Sequence, residues 1–71
     1  MVESAERLQL LIKHLKSHNE EHAKELIEMA EKAKELGYKE VCDLLLQSRE
    51  EMRMSNMTLQ KAYDLLIKEK Q

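Results

Sequence analysis

The three histidines of this 71-residue chain, His14, His18 and His22, stand four residues apart. On a helix that spacing lines successive imidazoles along one row. Scattered at random, about one arrangement in two hundred would place three histidines at consecutive spacings of three or four. Two imidazole nitrogens so placed can hold one transition-metal ion, and zinc, nickel, cobalt and copper all accept such ligands. His18 and His22 are the expected ligands, with His14 as an outer one and Glu21 or Glu25 as supplementary carboxylates.

Four residues advance by about 400°, so the row slants across the helix. His14 is expected at the solvent edge, His18 at the flank, and His22 inside an apolar stripe with Leu15 and Leu26. Two other readings stand beside the metal site. The histidines can form a polar layer that sets register and oligomeric state, or a proton-sensitive switch in which charging a buried imidazole opens a bundle.

Catalysis is not expected. His18-Asn19-Glu20-Glu21-His22 fits the His-x-x-Glu-His order of inverted zinc proteases, but those enzymes need a further acidic ligand and a substrate groove that the chain does not offer. The Glu-x-x-His pairs of di-iron bundles are absent, since Leu11, Leu15 and Asn19 precede the histidines by three. There is no Gly-rich phosphate loop. Met52, Met54 and Met57 bring three soft thioethers within six residues, yet helical spacing sends them different ways, so packing rather than Cu(I) binding is expected. Cys42 reads as a small buried apolar residue, its lone thiol suiting a reducing compartment.

The elements that position these residues follow from composition. The chain has no Pro, Phe or Trp and one Gly; it is 37% charged, with a mean hydropathy of -0.66. Leu, Glu, Lys, Met, Ala and Gln favour long helices over sheets. Twelve basic against fourteen acidic residues give a net charge of -2, which disfavours nucleic acid. No apolar run is long enough for a bilayer, and acids at the start do not suit a secretory signal, so a cytoplasmic protein without membrane contact is expected.

The strongest break is Leu36-Gly37-Tyr38. Gly can take the left-handed turn that ends a helix, Lys32 and Lys34 suit the last turn, and Tyr38 can fold back over the cap. Before it, Leu8, Leu11, Ile12, Leu15, His22, Ala23, Leu26, Ala30 and Ala33 form one stripe; after it, Val41, Leu44, Leu45, Ser48, Met52, Ser55, Leu59, Ala62, Tyr63 and Leu66 form another. An all-α antiparallel helical hairpin is expected, with helices over about 4–36 and 39–69 and Ser4 as first cap. The capping-box pattern Ser17-His18-Asn19-Glu20 offers a three-helix alternative. Glu20 with Lys24, Glu28 with Lys32 and Asp64 with Lys68 are acid-before-base pairs that support helix locally.

Two helices bury only one side of each other, so a homodimer closing a four-helix bundle is expected; Leu10, Leu46, Met57 and Leu65 widen the apolar surface for it or for a protein partner. A turn at Gly37 sets His22 level with Met52, and His18 and Asn19 opposite Ser55 and Asn56.

The segment His14-x-x-x-His18-Asn19-x-x-His22-Ala23, with Glu25 and Ala30-Glu31-Lys32-Ala33 after it, resembles a small uncharacterised family of helical-hairpin domains of archaea and anaerobic bacteria. Its members look like a His-x3-His-Asn-x2-His-Ala helix, a Gly turn and a second Leu/Ala-rich helix. This chain departs from them in Leu15, where an aromatic commonly follows the first histidine, and in its Met-rich second helix. The resemblance spans residues 10–66 and implies the hairpin, with metal association through the histidines.

Overall fold

A computed structural model of the chain describes residues 2–69, with side chains from Ser4 onward. Helix α1 (Val2–Glu35) and helix α2 (Lys39–Glu69) pack side by side as an antiparallel hairpin 53 Å long and 15 by 12 Å across. The first helix runs unbroken through Ser17-His18-Asn19-Glu20, which excludes the three-helix arrangement. With neither Gly nor Pro to interrupt them, the backbone hydrogen bonds continue through that stretch and the capping box stays unused. Ser4 does not cap α1, because the helix is already under way at Val2.

The turn shows why three residues, Leu36, Gly37 and Tyr38, suffice to reverse the chain. Gly37 has φ of 87°, the left-handed region open to Gly at little cost. Its N–H donates to the Lys34 carbonyl (3.1 Å) and the Tyr38 N–H to the Ala33 carbonyl (2.9 Å), the paired bonds of a Schellman motif. The Tyr38 carbonyl then accepts from the Cys42 N–H (3.0 Å). Tyr38 therefore closes α1 and opens α2 at once.

The seam between the helices differs in phase from the expected stripe. From α1 it takes Ala5, Gln9, Ile12, Lys16, Asn19, Ala23, Leu26, Ala30 and Ala33, an unbroken alternation of fours and threes. From α2 it takes chiefly Cys42, Leu45, Met52, Asn56, Leu59, Tyr63 and Leu66. Leu8, Leu11, Leu15 and His22, expected inside, are exposed, as are Val41 and Leu44. The physical reason lies at the turn: helices joined by so short a connection must approach closely there, and Ala30, Ala33 and Cys42 are small enough to allow it. These three are the buried core, with Leu45 packed against them. Once that phase is set, an apolar stripe wider than one seam leaves its other edge outside.

Farther from the turn the seam becomes polar. The Asn19 amide donates to Asn56 Oδ1 (2.9 Å), and the Asn56 amide donates to the Lys16 carbonyl (3.0 Å). Lys16 Nζ bonds Gln60 Oε1, and the Gln9 amide donates to the Tyr63 hydroxyl (3.2 Å). These contacts confirm the expected level of Asn19 with Asn56, but the layer contains no histidine, and Ser55 lies exposed beside it. Local ion pairs also differ from expectation: Lys32 reaches Glu35 (3.8 Å), and Asp64 accepts the Gln60 amide (2.9 Å).

Candidate metal centre

All three histidines are exposed on α1, so the row does not descend into a core. His22 is half-exposed rather than buried beside Leu15 and Leu26, because α1 is turned to bring Asn19 and Ala23 against α2. A switch that relies on charging a buried imidazole therefore lacks its burial.

His18 and His22 nevertheless meet. Their Nε2 atoms are 3.2 Å apart, with ring centroids at 4.4 Å and ring planes at 83°. The Nδ1–H of His22 donates to Glu25 Oε1 at 2.9 Å. That carboxylate selects the tautomer whose Nε2 accepts from the Nε2–H of His18, a proton that a metal ion between the two rings would displace. Glu25 is thus an orienting partner on the far side of the ring, the place a carboxylate takes behind a metal-bound imidazole.

His14 stands apart. Its ring is parallel to that of His18, at 5° and a centroid separation of 6.4 Å, so it extends the row without joining the facing pair. Among the described residues no group of three or more His, Cys, Asp or Glu side chains gathers around one point, so Glu21 and His14 do not complete a ligand set with His18 and His22.

The two chemistries set aside in the sequence have structural counterparts. Cys42 is a free thiol, buried near the turn and far along the hairpin from His18. Arg53 occupies the methionine cluster: its guanidinium lies 3.4 Å from the Met57 sulfur and 3.9 Å from that of Met54. A fixed cation against both thioethers opposes Cu(I) there. Arg53 also grips Glu50, with Nη2 to Oε2 at 2.5 Å and Nε to Oε1 at 3.1 Å. The hydrogen bond holds the Glu50 carboxyl below its ordinary value and raises that of Arg53.

Among the described residues no helix is long and apolar enough to cross a membrane. No curated protein and no solved structure matches the chain. One family model does, over residues 8–66, a span that contains the histidine row, the Gly37 turn and nearly all of α2. The chain accordingly belongs to the family described as a domain of unknown function, DUF8180.

Proposed function

We propose that this chain is a small, non-catalytic, self-associating helical hairpin that binds a divalent transition-metal ion through Nε2 of His18 and His22. The facing of those two atoms at 3.2 Å carries the reading. Nitrogens bound at about 2.0–2.1 Å to a tetrahedral ion stand about 3.3–3.4 Å apart, so the pair is already spaced for one metal. Glu25 orients His22, and His14 is an outer ligand at most. Zinc, cobalt, nickel and copper all suit two imidazoles. A cytoplasmic setting fits the reduced Cys42.

A second reading, a protein-interaction module whose histidines only set register, is favoured by the exposed leucines. It is weakened because Asn19, Asn56 and the Lys16 carbonyl already fill the register-setting layer without an imidazole. Calorimetric titration of Zn2+ into the protein and into the His18→Ala/His22→Ala variant decides between them. Loss of binding in the double variant supports the metal reading, and undiminished binding overturns it.

A further inference from the structure

The two sides of the hairpin differ. Glu20, Lys24 and Ile27 of α1 share a shallow groove with Arg53 and Met57 of α2, and nearer the turn Lys34, Lys39 and Asp43 line its continuation. That side mixes these charged groups with the apolar Ile27, Met57 and Leu46. The opposite edge of each helix exposes more large apolar side chains: Leu8, Leu11, Leu15 and Met29 on α1 and Val41, Leu44 and Leu65 on α2, with His18 and His22 among them and Glu25, Lys32 and Glu51 at the outer margin. At about 100° per residue this strip lies about 90° round each helix from the seam, where a square four-helix bundle needs a second contact surface.

The chain as a whole has surface to spare for such a contact. A compact monomer of 8.4 kDa exposes about 4,600 Å2 on the usual mass scaling, whereas this chain exposes 5,891 Å2. The excess of about 1,300 Å2 exceeds the roughly 800 Å2 that each partner buries in a standard interface. Leu11 and Met29 are each 52% exposed within it.

Length confines the two-fold axis to the middle turns of α1, and the histidines choose the level within them. Two copies overlap fully only if the two-fold axis crosses the strip near mid-helix, and the middle of α1 falls between His18 and Asn19. Antiparallel packing of α1 on its copy, with the axis at the level of Glu20, sets His18 against the second copy's His22, and Leu11 against its Met29. The geometry points to a second copy of this chain as the source of the missing ligands: one ion at the two-fold axis, held by His18 and His22 of both copies. The inference rests on the metal reading, in which each chain supplies two nitrogens and a tetrahedral ion requires four.

Co2+ and Zn2+ titrations followed by molar mass and visible absorption test it. Expected are one ion per two chains, a dimeric mass, and the intense visible bands of tetrahedral Co2+, with the ion and its bands lost in His18→Ala. Leu11→Lys, at an exposed position and checked for helicity, should weaken Co2+ binding at least tenfold while touching no ligand. One ion per chain on a monomer overturns the shared site and leaves the metal reading intact. No uptake of either ion overturns both.

Discussion

Asn56 binds Asn19 with its oxygen and the Lys16 carbonyl with its nitrogen, so one side chain bridges two successive turns of the opposite helix. Asn56→Leu should lower stability by about 1 kcal/mol, or about 4–8 °C in Tm for a domain of this size, because the half-buried Asn19 amide loses its acceptor. Asn19→Leu/Asn56→Leu together should regain that loss in thermal melts while broadening the distribution of species in sedimentation. A double variant less stable than the single one would show that the pair contributes more than register.

Gly37 has open space where a Cβ would stand, and its φ of 87° is unfavourable for other residues. Gly37→Ala should therefore cost about 1 kcal/mol through backbone strain alone, and Gly37→Asn less. Thermal denaturation of the two variants checks the order. Equal melting temperatures for Ala and Gly would contradict the left-handed turn.

Glu25 and Glu21 were equal candidates in the sequence, and the structure separates them. Glu25→Ala should weaken Zn2+ binding by about 10–100-fold through loss of the hydrogen bond to His22 Nδ1, with Glu21→Ala near wild type. Calorimetry reads both, and an equal effect of the two substitutions would remove the orienting role.

The Cys42 thiol should react with an aromatic disulfide reagent slowly in the native protein and at once in denaturant, since it is 8% exposed between Ala30, Ala33 and Leu45. Cys42→Ala should be tolerated better than Cys42→Ser, whose hydroxyl would lie in an apolar site. Rapid native labelling would show that the turn region opens.

The Glu50 carboxyl, held below its ordinary value by the Arg53 hydrogen bond, is the paired group with a pH signature. A depressed folded-state value adds stability above the unfolded value that is lost as pH falls through the folded one. Both side chains are open to solvent, so Arg53→Gln should move the Glu50 titration upward by NMR with no measurable change in Tm. A clear fall in Tm at neutral pH would mean that Arg53 has further work in the methionine cluster.

The hairpin was legible because Gly37 is the chain's one glycine, because Lys32, Lys34 and Tyr38 suit a helix end, and because both arms keep helical periodicity. Alignment along the axis was legible for the same reason: a turn at Gly37 dictates that Asn19 meets Asn56. Rotation about the axis was not. Leu8, Leu11 and Leu15 weigh most in any apolar stripe, yet the close approach of Ala30, Ala33 and Cys42 decides which edge turns inward. Small residues carry little hydrophobic weight and much steric permission, so a reading by hydrophobicity turned α1 too far and placed His22 inside. The facing of His18 and His22 depends on ring rotamers and on Glu25, which spacing suggests but does not specify.

Tyr38 serves both helices, so the connection holds no slack. The three residues 36–38, with Gly37 in the left-handed region, separate the folded-back form from a single continuous rod, about 100 Å long at 1.5 Å per residue. Straightened, each arm would still present the same seam and could satisfy it only on the arm of another molecule, as a domain swap. The left-handed glycine is thus a lock against polymer exchange as well as a corner: any residue there that prefers the right-handed helix lowers the barrier to trading arms between molecules.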